Sequence, residues 1–154
     1  MVPPTSGRNG HVYLVSAMRT PIGRFGGALS GIPAVELGGV AIRAAVTEAG
    51  LPEGTPIDEV LMGQVLQAGV GQAPARQAAL GAGIPSSVPC ITLHKVCGSG
   101  MRAVMDAANA ITAGEYGLGP GRGAAAGGSA SAEPHRVSVT KMSRSRGKRL
   151  IRTG

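Results

Sequence analysis

Cys97 is the residue of this sequence best placed to do chemistry, because it lies where a predicted strand, 90–96, meets a predicted helix, 98–113. Unpaired amides and the macrodipole at a helix N-terminus stabilise negative charge, and so favour the nucleophilic thiolate form of a cysteine. Glycines at 98 and 100 would let a substrate carbonyl approach the backbone. The amide of Cys97 could then donate to the oxyanion that forms when sulfur attacks that carbonyl. On local pattern alone, a buried structural cysteine is an equal alternative.

Cys90 and His94 raise two further alternatives for the same segment. Together with Cys97 they are the ligand types of a zinc site, but a structural site needs four ligands and no fourth candidate lies at suitable spacing. His94 could act as a base for Cys97, yet three residues along a strand place two side chains on opposite faces. We therefore interpret Cys90 as a small core residue and predict no metal ligands.

The elements that would position Cys97 alternate between strand and helix. Three strand–helix pairs follow one another along the chain, at 11–17 with 33–50, 60–66 with 74–80, and 90–96 with 98–113. The second strand is almost uninterrupted in apolar residues, as expected where both faces of a parallel sheet are covered. Gly38 and Gly39 inside the first helix predict close packing against a neighbour. The pattern predicts a layered α/β domain with a mostly parallel sheet, and a third helix buried on most sides.

Composition and charge divide the chain into a folded domain and a different tail. With 43% hydrophobic residues, 2% aromatic residues and no Trp, the core must be built from Ala, Val, Leu, Ile and Met. The net charge of +7 belongs to residues 117–154, because residues 1–116 hold equal numbers of acidic and basic side chains. From Gly117 onward, Gly, Ala, Ser and Arg replace any periodic pattern. We predict a flexible lead-in at 1–10 and a disordered basic tail at 117–154.

The bulk properties argue against several classes of function. The basic tail has no Phe, Tyr or Trp for base stacking and no folded reader module, so we expect no specific nucleic-acid partner. No run approaches the roughly 20 apolar residues of a membrane span. Two cysteines and the lack of an apolar segment at 1–10 lead us to expect a cytoplasmic protein with no disulfide and no membrane association. The glycine-rich runs lack the spacing of a phosphate-binding loop.

Three blocks of sequence resemble the thiolase family, which comprises acetyl-CoA acetyltransferases and 3-ketoacyl-CoA thiolases. The blocks are Ser16-Ala-Met-Arg-Thr-Pro-Ile-Gly-Arg-Phe-Gly-Gly27, Gly63-Gln-Val-Leu-Gln-Ala-Gly-Val-Gly-Gln-Ala-Pro-Ala-Arg-Gln-Ala-Ala79 and His94-Lys-Val-Cys-Gly-Ser-Gly-Met-Arg-Ala-Val104. The resemblance covers residues 12–116 and implies a partial thiolase N-terminal domain at 11–116. It implies ping-pong acyl transfer in which Cys97 takes an acyl group from an acyl-CoA and passes it to a second acceptor. CoA and acyl-CoA would be substrates, with no permanently bound cofactor, and intact relatives would be homo-oligomers.

The sequence also departs from the family pattern. His94 stands where Asn is common in the family. Members of the family continue with a fourth strand, expected beside the first strand of the sheet. A second domain then supplies an activating histidine, a second cysteine and oxyanion donors. Residues 117–154 of this chain resemble neither segment. Cys97 is therefore the only catalytic residue that the resemblance transfers, with no cofactor-binding residue, and we expect the truncated chain to be inactive alone. The alternative is a non-catalytic interaction protein, a half-thiolase domain that pairs with an intact subunit.

Overall fold

The computed structural model describes residues 11–50, 55–116, 124–129 and 138–145. Strands and helices alternate through the first six elements, and two strands follow. In chain order they are β1 (His11–Arg19), α1 (Ala34–Glu48), β2 (Glu59–Gln64), α2 (Pro74–Gly81), β3 (Cys90–Leu93), α3 (Ser99–Ala113), β4 (Ala124–Ser129) and β5 (Ser138–Ser145).

All five strands belong to one mixed sheet with the order β1-β5-β4-β2-β3. β2 lies between β3 and β4 and is parallel to both. β5 is antiparallel to β4 and to β1, so β1 runs in the same direction as β2. The predicted α/β fold with a mostly parallel sheet is confirmed, and β5 is the one antiparallel strand among those described.

The two faces of β2 are covered by different helices. Val60 and Met62 belong to a buried cluster with α1 and α2 residues, whereas Leu61 packs with buried residues of α3. Alternate side chains of a strand point to opposite faces, so an apolar residue at every position is what a doubly covered strand requires. The core consists of Ala, Val, Leu, Ile and Met, as composition predicts.

The helices α1 and α2 pack closely through glycines of α1. A Cβ atom on Gly38 would lie 3.1 Å from the Cβ of Ala78, and one on Gly39 would lie 3.2 Å from the carbonyl oxygen of Ala78. Arg43 reaches across the same contact and donates to the carbonyl of Gly81 at 2.6 Å. The close packing that the paired glycines predict is therefore confirmed.

The strand before Cys97 is shorter than the sequence predicts. β3 ends at Leu93, and a hydrogen-bonded turn at 95–99 replaces the expected extended chain, with the amide of Gly98 donating to the carbonyl of Lys95 at 3.0 Å. Side chains alternate between faces only in extended backbone. The prediction that a strand places His94 and Cys97 on opposite faces therefore rests on a conformation that this segment does not adopt.

Two segments of the tail differ from the predicted disorder, since 124–129 and 138–145 are the strands β4 and β5. Within the described residues, only these two segments of 117–154 depart from the prediction, and β5, rather than β4, lies beside β1. Backbone groups of paired strands bond one another without apolar side chains, so composition could not indicate these strands. The rest of the tail and the lead-in at 1–10 lie outside the described residues. Within the described ranges, no helix combines the length and apolar character that crossing a bilayer requires.

Candidate active site

Cys97 lies in the turn between β3 and α3, immediately before Gly98, the N-cap residue of α3. Its side chain is exposed and its sulfur is a free thiol. The alternative of a buried structural cysteine is therefore excluded for Cys97. The sulfur lies at the entrance of a 15-residue helix, as the sequence predicts.

The turn is closed by the side chain and the backbone of Ser99. The hydroxyl of Ser99 accepts a hydrogen bond from the amide of Lys95 at 2.7 Å and donates to the carbonyl of Val96 at 2.7 Å. The amide of Ser99 donates to the same Val96 carbonyl at 3.1 Å. Val96 has a φ of 46°, a left-handed conformation that is unfavourable for a β-branched residue. These bonds hold Cys97 at the outside of a strained turn.

Two amides in the first turn of α3 have no acceptor among the described residues. The amides of Gly100 and Met101 make no backbone hydrogen bond there, whereas the amide of Ser99 bonds the Val96 carbonyl and that of Arg102 bonds the Gly98 carbonyl. Unpaired amides at a helix N-terminus carry partial positive charge. They can stabilise a thiolate or the oxyanion of a tetrahedral intermediate formed beside the sulfur.

Gly63 of β2 allows the first turn of α3 to approach the sheet. An ideal Cβ on Gly63 would lie 2.5 Å from the carbonyl carbon of Ser99 and 2.6 Å from the amide nitrogen of Gly100. No side chain fits at such distances, so only glycine allows the two backbones to meet here. The sequence reasoning missed this role, although an isolated glycine inside an apolar strand is a signal of close backbone approach. It also missed Ser99, whose signal is a small hydroxyl residue at a helix start.

The structure separates the roles of the other two predicted candidates. Cys90 is half-buried against the cluster of α1 and α2, which confirms it as a core residue. Burial raises the pKa of the Cys90 thiol, opposed by the hydrogen bond and charge of Arg76. The His94 ring is turned toward β2, with Nδ1 3.2 Å from the carbonyl oxygen of Gln64. No group of three His, Cys, Asp or Glu side chains able to hold a metal ion occurs in the part of the chain that the structure describes.

One face of α3 is less buried than its apolar sequence predicts. Ser99, Ala103, Ala107 and Ile111 are buried against the sheet. Met101 is 67% exposed and Met105 is 49% exposed, about one turn apart on the side of α3 away from its buried residues. The predicted burial on most sides is therefore wrong for the described residues, which cover only the sheet-facing side of α3.

The domain is an α/β fold that presents an exposed cysteine beside unpaired amides at a strand–helix junction. Residues 12–147 match the family model described as thiolase, N-terminal domain, and this chain belongs to the thiolase family. The resemblance deduced from the sequence is confirmed. The match extends beyond residue 116 and includes both β4 and β5.

Individual relatives agree with this family. The chain is 61% identical over 105 residues to an acetyl-CoA acetyltransferase of Cupriavidus necator, covering 68% of this chain and 26% of the relative. It is 54% identical over 103 residues to the mitochondrial acetyl-CoA acetyltransferase of Bos taurus, covering 67% and 24%. The Acat5 thiolase of Ascaris suum, solved in complex with coenzyme A, superimposes with a TM-score of 0.70 at 40% identity, covering 78% of this chain and 30% of that structure. The chain thus spans about a quarter of the length of these curated relatives.

Proposed function

We propose that Cys97 is the nucleophile of a thiolase-type acyltransferase, an acetyl-CoA C-acetyltransferase or 3-ketoacyl-CoA thiolase, acting through a covalent acyl-Cys97 intermediate. The observation that carries the proposal is an exposed thiol beside unpaired amides at the start of α3. Its membership of the thiolase family and its relatives named acetyl-CoA acetyltransferases support it. Acyl-CoA and CoA are the proposed substrates, and no cofactor is proposed to stay bound.

The proposed chemistry has two half-reactions. The Cys97 thiolate attacks the thioester carbon of an acyl-CoA, and the electron pair of the carbonyl moves onto oxygen, where the amide of Cys97 donates to it. The oxyanion collapses, the bond to the CoA sulfur breaks, and CoA thiolate leaves and takes up a proton. In synthesis, the enolate of acetyl-CoA then attacks the acyl carbon and releases the Cys97 thiolate. In degradation, the Cys97 thiolate attacks the 3-keto carbon of a 3-ketoacyl-CoA, the bond between C2 and C3 breaks, and acetyl-CoA leaves as its enolate and takes up a proton. CoA thiolate then attacks the acyl-enzyme, accepts the acyl group and releases the Cys97 thiolate.

We also propose that these 154 residues do not turn over by themselves. The family resemblance assigns the activating histidine and further oxyanion donors to a second domain. Among the described residues, His94 has Nδ1 3.2 Å from the carbonyl oxygen of Gln64 on β2. Removal of a single oxyanion donor typically costs about 100-fold to 1000-fold in rate, so the loss of several such groups abolishes useful catalysis.

The test is to label the full chain with acetyl-CoA carrying a labelled acetyl group, and to locate the label by peptide mass spectrometry. We expect slow, single labelling at Cys97, no label in Cys97→Ala, and unchanged labelling in Cys90→Ala, the matched control for the second cysteine. Cleavage of acetoacetyl-CoA should be absent in all three. Label that persists in Cys97→Ala, or that lies on Cys90, would refute the assignment, and measurable cleavage by the parent would refute the proposed inactivity.

The exposed outer face of α3 favours a second candidate, the half-domain that pairs with an intact thiolase subunit. Large exposed apolar side chains in one place favour contact with another protein surface, and Met101 and Met105 form such a pair. We expect the chain to co-purify with an intact thiolase. Met101→Lys should abolish this co-purification, whereas the control Leu80→Lys on α2 should retain it. Equal retention or equal loss in both variants would reject this face as the contact.

On sequence grounds, we also propose a cytoplasmic location, homo-oligomeric intact relatives, and the lack of a specific nucleic-acid or membrane partner.

A further inference from the structure

Ser99 is the most deeply buried polar residue near Cys97, with 1% of its surface exposed. Its hydroxyl uses both of its hydrogen-bonding roles within the turn, accepting from the amide of Lys95 and donating to the carbonyl of Val96, each at 2.7 Å. The hydroxyl therefore bridges the two residues that precede Cys97. A buried side chain that bonds to backbone on both sides of a bend determines the path of that bend.

The bend needs such a bridge because its backbone is strained. Val96, with a φ of 46°, is one of two non-glycine residues in the described part of the chain with a positive φ. A β-branched residue adopts this conformation only where the surrounding structure enforces it. The side chain of Val96 is 61% exposed, so packing of that side chain does not enforce it. The bonds from Ser99 to Val96 and Lys95 enforce it, together with the bond from the Gly98 amide to the Lys95 carbonyl at 3.0 Å.

We propose that Ser99 is a positioning residue for Cys97: its hydroxyl holds the strained turn closed, and thereby keeps the Cys97 sulfur and amide at the start of α3. The inference rests on the proposed acyl-Cys97 function and adds to it the residue that aligns the nucleophile. Gly63 contributes to the same arrangement, because its lack of a side chain lets the backbone of Ser99 pack directly against β2. Ser99 itself does not touch the substrate.

The consequence is measurable as thiol reactivity. In Ser99→Ala the turn relaxes, and the sulfur moves away from the unpaired amides at the start of α3. In general, helix N-terminal amides favour reaction of a cysteine with iodoacetamide, whereas a thiolate outside their field is intrinsically more reactive, which offsets part of the loss. We expect the alkylation rate of Cys97 to fall about threefold to tenfold while that of Cys90 stays unchanged.

A double variant separates positioning from packing. Asparagine tolerates the left-handed conformation better than valine does, so Val96→Asn should restore the turn without the hydroxyl. We expect Ser99→Ala/Val96→Asn to recover Cys97 alkylation to within about twofold of the parent. Replacement of a merely structural serine would not be rescued by a substitution at an exposed neighbour.

The matched control is Ser16→Ala, which removes another buried hydroxyl that donates to a backbone carbonyl, that of Ala45 at 2.7 Å. It should leave the Cys97 rate unchanged. The proposal is overturned if Ser99→Ala keeps the parent rate, if both cysteines of Ser99→Ala react faster together, or if the double variant stays as slow as Ser99→Ala. Alkylation needs no acyl chemistry, so rescue of alkylation in a chain that takes no acetyl label would refute the proposed function and leave the role of Ser99 standing.

Discussion

Gly63→Ala places one methyl group between β2 and the first turn of α3. The new Cβ would lie 2.5 Å from the carbonyl carbon of Ser99 and 2.6 Å from the amide nitrogen of Gly100. Ordinary contacts between such atoms are about 3.5 Å, so the helix start and the strand must move apart by about 1 Å. Both obstructing groups are backbone, so no rotation of a side chain can relieve the contact.

The expected cost follows from this geometry. Overpacking by one methyl group typically destabilises a core by about 1 to 3 kcal/mol, and a clash with backbone belongs at the upper end of that range. For a chain of this size, about 3 kcal/mol lowers the melting temperature by roughly 10 °C. The displaced helix start carries Ser99, so the Cys97 turn should be disturbed as well.

Thermal unfolding followed by far-ultraviolet circular dichroism, beside alkylation of Cys97, measures both effects. Gly81→Ala is the matched control, because it is the same substitution at the last residue of α2, where a Cβ meets no atom within 4 Å. That variant should melt at the parent temperature or higher, since alanine favours helix over glycine by up to about 1 kcal/mol. A Gly63→Ala chain that melts within about 2 °C of the parent would refute the inferred contact.

Two further predictions concern hydrogen bonds that link separate parts of the domain. The Tyr116 hydroxyl donates to Glu59, and burial, together with this bond and the carboxylate charge, raises the pKa of Tyr116. The folded chain therefore holds the phenol proton more tightly than the unfolded chain, so the resulting stability is present below about pH 10 and is lost as the pH rises further. Tyr116→Phe should flatten the decline in urea midpoint between about pH 9 and pH 11, and an equally steep decline in both chains would contradict this. Arg76 donates to the carbonyls of Ser86 at 2.6 Å and Val88 at 2.9 Å. Arg76→Gln should therefore lower the free energy of unfolding, measured by urea titration, by about 1.5 to 3 kcal/mol. A loss below about 0.5 kcal/mol would show that water replaces these bonds in the variant.

The order of the first six elements could be predicted from the sequence because it depends on local pattern. The apolar run at 60–66 indicates a strand covered on both faces, and Val60, Leu61 and Met62 are buried on alternate sides of β2. The change from strand to helix around Cys97 likewise follows from neighbouring residues. The local sequence alone therefore determined that the candidate nucleophile, Cys97, lies at the start of a helix.

Other features were decided by residues that meet only in the fold. β4 and β5 enter the middle of the sheet through backbone bonds. β4 consists of alanine, glycine and serine, and β5 is rich in serine and basic residues, so neither has an apolar period. The outer face of α3 has the composition of a buried helix, yet Met101 and Met105 are exposed, because burial depends on which surfaces are present to cover a helix.

The geometry around Cys97 shows the same division. Its residue type and its place between a strand and a helix can be read along the chain. The meeting of Gly63 with Ser99, and the left-handed turn at Val96 that Ser99 closes, cannot be read in this way. Periodicity reports the environment averaged over a helix or strand, whereas a contact of a few ångströms between residues 36 positions apart depends on how the sheet and helix pack. The sequence determined which atom is the candidate nucleophile, and only the tertiary structure decided how that atom is held.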